Sequence, residues 1–504
     1  MAGFFAKIGR IFKFGYDAVR PKGKRRAATG ITRDEDSELT PEQRKKLISG
    51  ARDLPRNFAV AAWAIRRHLD YVSSFTFQAK SSNPKLADRV ESLMANWGHR
   101  KNCEVTQRHR LSKLIRMLEC RRTVDGDVFL IKLADGRVQA CEGDRVRTPS
   151  GGLPSPLKPS DLTHGVQLDE DGAAKGYVFC RRARTTDVGV SSSSIVFERL
   201  VPAENVFHHA YLERFDQVRG ISPLAAAVNT FQDTYEAIDL TIAKLKVEQL
   251  FALALYRQSD EEIGEHTATA ETDDDEGGSG GPGYEVDFGD GPIKLDLDIG
   301  DKAEFLQSQN PSTNAQQFIQ TCIQIALKSL DIPFSFYAEN YTNYSGARQA
   351  LLQYQQSADI KRQDNQELLD DVTEWKIELW IADGSLAEFS AADLASLSWE
   401  WVPTGIPWID PLKEITAQQK AIATRIDSRT RICRARGIVF RDLVDEIADE
   451  EAYMVSRGVT ISSDVEVQKI ETESTSMVGD AAAIDALDAE DTLPEDGKNA
   501  KAKE

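Results

Sequence analysis

His208 and His209 stand side by side, and a pair of imidazoles is the first place to look for a metal ion or a proton relay. On a strand, neighbouring side chains point to opposite faces, so the two do not readily meet on one ion. Asp296, Asp298 and Asp301 resemble the opening half of a calcium loop. The glycine that loop needs at its sixth position and the glutamate at its twelfth are missing. Ile293, Leu295, Leu297 and Ile299 alternate with Lys294, Asp296, Asp298 and Gly300, the period of a half-buried strand, which accounts for those aspartates. The acid pairs Asp125/Asp127 and Asp169/Asp171 read as turn carboxylates. No G-x-x-x-x-G-K-[ST] phosphate loop, H-E-x-x-H, G-x-S-x-G or Cys/His ligand cluster occurs, and nothing supports a nuclease or protease. The reading is non-enzymatic, with no cofactor and no metal.

Composition sets outer bounds. A chain of 504 residues has length for two or three domains and a sizeable core. Its net charge of −18 argues against a general DNA-binding surface, which would be basic to neutralise phosphates. Six cysteines (103, 120, 141, 180, 322 and 433) have no paired spacing and fit a reducing cytoplasm. No apolar run reaches the roughly 18 residues of a membrane span, and M-A-G-F-F-A-K lacks a signal-peptide core, so a soluble protein is expected.

The most informative stretch does no chemistry. In Q-V-R-G-I-S-P-L, Gln217–Leu224, Gly220 supplies a turn, Ser222 an N-cap and Pro223 a first-turn proline, with Arg219 just before them. From there to Gly264 no Gly or Pro intervenes, and Leu224, Val228, Phe231, Tyr235, Ile238, Ile242, Leu245 and Ala252 recur near the helical period. About 34 residues would make a rod on the order of 50 Å long. An acidic, glycine-rich segment from Ser259 to Gly283 follows and is expected to be a mobile loop. After the strand of residues 293–299 comes a second helix, Asn314–Leu330, with Phe318, Ile319, Cys322, Ile325 and Ala326 on one side. Helix, small β insertion, helix: the pattern is a hairpin with a module at its tip.

Four local matches in order carry a family resemblance: V-F-H-H-A-Y-L-E-R-F-D-Q-V-R-G-I-S-P-L (Val206–Leu224), L-D-I-G-D-K-A-E-F-L-Q-S-Q-N (Leu297–Asn310), L-D-I-P-F-S-F-Y-A-E-N-Y-T-N-Y-S-G-A-R-Q-A-L (Leu330–Leu351) and W-I-D-P-L-K-E (Trp408–Glu414). Over roughly residues 55 to 455 the chain resembles the lambda-type portal proteins of tailed bacteriophages. The resemblance implies an α+β, predominantly α-helical fold with an α/β wing, a two-helix stem, a small α/β clip and a helical crown region. Its implied divisions are a basic N-terminal arm and linker (1–50), wing-like region (51–215), first stem helix (216–257), clip (258–311), second stem helix (312–333), tunnel loop (334–345), long helix with wing completion and crown-like helices (346–460) and an acidic disordered tail (461–504).

Within that frame, Arg219, Gly220, Ser222 and Pro223 start the stem. Asn340, Tyr341, Asn343 and Tyr344 could meet DNA through sequence-independent contacts to sugar and phosphate, or be an ordinary turn with its tyrosines packed on helices. Lys328 and Lys361 could face phosphates in a channel, or be solvated helix lysines. The implied assembly is a ring of about twelve copies at one capsid vertex. Its implied partners are the terminase large subunit, the major capsid protein and scaffold, head-completion and tail connector proteins, and double-stranded DNA passing through without sequence specificity. The implied location is the virion, with assembly in the host cytoplasm. The alternative is a helical scaffold or coiled-coil protein, which predicts sustained heptads that this rod lacks.

The remaining segments are read locally. Met1–Arg26 interleaves basic residues with Phe4, Phe5, Ile8, Ile11, Phe12 and Phe14, as an interfacial helix, a DNA contact or an arm ordered on assembly would. Pro41 begins a polar helix, and helical patterns cover Asn57–Ser74, Pro84–Trp97 and Val105–Arg121. Strands are expected at Val128–Leu133 and Arg137–Glu142 around Ala134-Asp135-Gly136, then near Gly165–Leu168, Gly176–Arg181 and Ile195–Leu200. Ile332-Pro333 stops the second stem helix, and Ser345 caps a helix running towards Trp380. Trp399, Trp401 and Trp408 read as core, and Pro411–Arg434 and Phe440–Arg457 as amphipathic helices. The arginines of the first (425, 429, 431, 434) with Arg436 suit either a phosphate-facing crown or a solvated, salt-bridged helix.

Overall fold

Thr40 and Gln43 cap one another in a reciprocal box, and Pro41 takes the first helical position, so the chain enters its first long helix with its free N–H groups answered. This computed structural model describes residues 34–149, 152–183, 195–250, 253–256, 302–305, 313–338, 344–405 and 411–458. In chain order the elements begin with α1 (Glu35–Glu38), α2 (Pro41–Asn57), α3 (Ala59–Val72), β1 (Phe75–Lys80), α4 (Pro84–Trp97), α5 (Arg100–Cys103) and α6 (Leu111–Asp125). A strand series follows: β2 (Asp127–Lys132), β3 (Val138–Glu142), β4 (Leu162–Thr163), β5 (Val166–Leu168), β6 (Ala174–Arg182), β7 (Ile195–Pro202) and β8 (Val206–Ala210). Then come α7 (Val228–Leu250), β9 (Leu253–Tyr256), β10 (Lys302–Phe305), α8 (Thr313–Leu327), α9 (Phe334–Ala338), α10 (Tyr344–Ala382), α11 (Ala391–Ala395) and β11 (Ser398–Pro403). A second compact unit, from Leu412 onward, holds α12 (Pro411–Ala423), α13 (Arg429–Ala435) and α14 (Phe440–Ser456).

The strand β2 organises the first unit. It lies between β3 and β8, antiparallel to both, and its residues 127–131 are all buried, as a strand covered on both faces requires. Alternation then divides its side chains. Val128 and Leu130 enter a core with α4, α6 and α10, while Phe129 and Ile131 enter a second with β6 and β7. A third core joins α2, α3, α7, α8 and α10 through Leu54, Ile65, Leu224, Phe231, Leu327 and Tyr354. Each such buried side chain contributes about 1.5–3 kcal/mol relative to exposure.

The helix–insertion–helix pattern is present in altered proportions. Pro223–Ala226 forms a 3-10 turn and α7 runs only to Leu250; its 23 residues span roughly 35 Å, short of the expected rod. Leu253–Tyr256 pairs antiparallel with Lys302–Phe305 instead of extending the helix. The run Leu250–Tyr256 is almost wholly apolar and fits either period, so a distant partner strand decides it. The longest rod is α10, 39 residues from Tyr344, roughly 58 Å. The helices α7 and α8 pack together, and β9 and β10 join their far ends.

Other differences have local causes. The helix expected from Val105 starts at Leu111, because Glu104 bridges to Val138. Phe334–Ala338 is a short helix within the stretch read as loop. Pro411–Arg434 breaks into α12 and α13, with Arg425 left-handed (φ 59°) and Ser428 capping the second piece. The strand expected at 293–299, the glycine-rich segment, the N-terminal arm and the acidic tail lie outside the described residues.

Candidate functional site: buried charge hubs at the root of a helical pair

Gly126 ends α6 with φ of 97°, a conformation that favours glycine, and turns the chain directly into β2. Asp127, the first residue of that strand, is thereby placed inside the protein with no exposed surface. Its carboxylate accepts from Arg219 Nε at 2.5 Å and Nη2 at 3.0 Å, from Arg44 Nη2 at 3.2 Å, and from the backbone N–H of Gly220 at 3.2 Å. His208 Nε2 lies 3.4 Å away. Arg219 spends its remaining donors on the carbonyls of Val146, His164 and Gly143, at 2.6–2.7 Å. All five guanidinium N–H groups are thus matched, which makes a buried arginine tolerable. The guanidinium also sits 5.0 Å from the centre of the Phe129 ring.

Burial alone would push the Asp127 carboxyl up. Arg219 and Arg44, with hydrogen bonds from His208 and Arg219, outweigh it and hold the group well below the usual carboxylate range. Burial and the neighbouring Arg219 pull Arg44 down to about 10. The expectation that Asp125 and Asp127 are turn carboxylates is corrected here. Asp125 is also buried and takes a two-pronged bond from Arg52, both contacts at 2.7 Å. Asp169 does behave as a turn acid, accepting from the N–H groups of Asp171 and Ala173.

The R-G-x-S-P-L stretch ties α7 to this hub residue by residue. A Cβ at Gly220 would lie 2.1 Å from the Gly126 carbonyl oxygen, so two crossing segments meet where no side chain fits. Ser222 Oγ donates to the Thr123 carbonyl at 2.7 Å and accepts from the Leu224 N–H at 3.1 Å, capping the turn opened by Pro223. Leu224 is fully buried in the helical core. Gly220→Ala is therefore expected to cost about 1–3 kcal/mol through overpacking, read as a lower urea midpoint with an unchanged slope.

A second hub holds α10. Glu119 Oε1 accepts from His68 Nε2 at 2.9 Å, Tyr211 Oη at 3.0 Å and Thr123 Oγ1 at 3.3 Å. Arg122 lies beside Glu119, donates to Asp364 at 2.8 Å and stacks 3.9 Å over the Tyr211 ring. His209 Nε2 is 2.9 Å from Asn365 Oδ1, and Asn365 donates to the carbonyls of Val72 and Lys361. The two adjacent histidines thus serve different hubs on opposite faces of β8. Among the described residues no group of three or more His, Cys, Asp or Glu is placed to hold a metal, and no helix is long and apolar enough to cross a membrane.

Of the residues singled out in sequence, Arg219 and Gly220 bind Asp127 at the first hub, while Ser222 caps the turn that Pro223 opens beside it. Lys361 donates to Asp331 at 2.9 Å and to the Leu330 carbonyl at 3.2 Å, tying the end of α8 to α10. Lys328 is exposed. Tyr344 is the first residue of α10, its side chain outside the described set, as are Asn340, Tyr341 and Asn343 altogether. Sequence reasoning missed Asp127, Arg44, Glu119, Arg122 and His68. The available signal was a charged residue directly abutting V-F-L-I, a run apolar enough to be buried on both faces.

A family model described as "Phage portal protein, lambda family" matches residues 22–362. A curated relative, "Probable portal protein" of Halomonas phage phiHAP-1, is 22% identical over 377 residues, 72% of this chain and 69% of that protein. Among solved structures, a chain from the virion of a native gene transfer agent particle is similar over 79% of this chain and 94% of its own, at 12% identity and TM-score 0.45. A chain from the neck of that native particle, computed with C12 symmetry, covers 81% and 96%, at 12% identity and TM-score 0.43.

Proposed function

The chain belongs to the lambda family of phage portal proteins, the head–tail connectors, and we propose that it works as a closed ring whose α7–α8 pair forms the channel wall. The supporting observation is apolar surface left open on three helices: Leu240 on α7 (63% exposed), Phe318 and Ile325 on α8 (63% and 58%), and Leu352 and Ile360 on α10 (49% and 64%). Side chains of this size on adjoining helices want a partner surface, and a heterologous contact between copies closes into a ring. The charge hubs fix where the roots of these helices leave the rest of the chain, so every copy would present them alike.

In this reading about twelve copies stand at the portal vertex of the virion. Segment 258–311 is the clip that docks the terminase, and the tunnel loop of the stretch 334–345 lies between α9 and α10, with Asn340, Tyr341, Asn343 and Tyr344 towards DNA. Capsid, scaffold and head-completion proteins are its other partners. Asp233, Glu236 and Asp239 lie exposed along α7. Asp239 lies about 100° round the helix from Leu240, and on a channel wall it would repel phosphates and let DNA slide.

Native mass spectrometry with negative-stain imaging tests the ring. Twelve chains of 56.0 kDa weigh about 670 kDa and should show end-on rings with a central hole. Phe318→Glu with Ile325→Glu should shift that mass to monomers or small oligomers while helix content stays unchanged. A discrete elongated dimer from the native chain would contradict the ring.

A further inference from the structure

Among the described residues β1 pairs only with β11, and the register shows what its other edge does. Thr76↔Val402, Gln78↔Glu400 and Lys80↔Ser398 alternate with Phe75↔Pro403, Phe77↔Trp401 and Ala79↔Trp399. In an antiparallel pair only alternate residues exchange N–H···O bonds with the neighbouring strand. Pro403 has no N–H to give, and the Ala79 N–H donates to the Glu91 carboxylate at 2.8 Å. Phe75, Phe77 and Ala79 are thus the set whose backbone faces away from β11. Glu91 closes that edge at Ala79, whereas Phe75 and Phe77 border a groove of about 430 Å³. Met94, Leu111 and Trp401 line it, and Arg110 and His99 stand on its rim beside the start of α6. An open strand edge beside apolar side chains is a template for an added strand.

We propose that residues Asp464–Gln468 of a second copy of the chain add to this edge as a β-strand. In D-V-E-V-Q, Val465 and Val467 alternate with Asp464 and Glu466, the period of a strand with one apolar and one acidic face. The apolar face suits Met94 and Trp401. The acidic face suits Arg110 and the positive start of a 15-residue helix that has no side-chain cap. Beyond Gly458 the chain carries twelve acidic residues against four basic ones, so this end of the molecule seeks basic surface. The proposal rests on the self-association reading, which sets a neighbouring copy beside every chain.

The test uses a fluorescent synthetic peptide of residues 461–471 and the chain truncated after Gly458. Saturable binding by anisotropy is expected, weakened at least about tenfold by Arg110→Glu, which leaves the core untouched, and by Asp464→Asn with Glu466→Gln in the peptide. Phe77→Pro, which removes an edge N–H, should abolish it, provided its circular dichroism matches the parent. No binding to the parent, or binding indifferent to Arg110→Glu, overturns the proposal. In the full chain, mixing Thr76→Cys with Glu466→Cys protomers should give an interchain disulfide on oxidation. A double-cysteine chain that closes only on itself would overturn the second-copy assignment. Native mass separates the two readings: truncated chains that still form rings yet do not bind the peptide sink this inference and leave the ring standing.

Discussion

Asp127→Ala is expected to lower folding stability by about 3–5 kcal/mol, because it strands Arg219 and Arg44 as uncompensated charges in the interior. Urea denaturation followed by tryptophan fluorescence reads the loss directly. The size follows from the partners: Arg219 is 1% exposed and Arg44 8%, so neither turns to water when its acid is removed. A double replacement, Asp127→Leu with Arg219→Met, should recover much of that loss, since attraction within a buried pair largely offsets the cost of burying it. The root of α7 should nonetheless lose definition in the double variant, because the three carbonyls now held by Arg219 go unanswered. A single-variant loss under about 1 kcal/mol would show that the hub holds nothing. Because the Asp127 carboxyl is held far down, its contribution is complete above the ordinary carboxylate pKa near 3.9 and fades only as pH falls through the depressed folded value.

What the sequence disclosed follows the range of the interactions. The helix Pro84–Trp97 was legible to the residue because Asn83 caps it, Pro84 opens it and its apolar stripe is strong, all within one short window. The β2–β3 hairpin was legible because Gly136, with φ of 78°, marks its turn. The pairing of β1 with β11 joins residues more than 300 positions apart, and Trp399 and Trp401 carry no local sign of it. The β9 strand was lost for the same reason. The R-G-x-S-P-L motif was visible as a helix start, and a resemblance marked it out. That its arginine reaches a buried aspartate ninety-two positions back is a fact of three dimensions. Asp127 itself misled, since an acid two residues after another at a glycine normally signals a turn.

Mild acid should unfold the chain steeply, with stability falling by about 2 kcal/mol per pH unit at pH 6.5 and approaching about 4 kcal/mol per pH unit one unit lower as three histidines titrate together. His68 and His209 are buried and His208 nearly so, and burial pushes each below the ordinary histidine range despite the carboxylates beside them. A histidine held neutral in the fold takes up its proton readily once unfolded. The unfolded state therefore binds more protons below about pH 6.5, and folding loses free energy until pH drops through the folded values. Arg122 and Arg219 explain why Glu119 and Asp127 do not reverse the effect, since each carboxylate is already committed to an arginine before a histidine could claim it. His68→Gln, which can keep an N–H towards Glu119, should remove one proton from the linkage and flatten the slope by about 1.4 kcal/mol per pH unit. Urea midpoints taken from pH 7.5 down to 5 measure both slopes. A parent slope near zero across that range would mean that the buried imidazoles gain their protons inside the fold, and that the hubs tolerate a positive charge their geometry argues against.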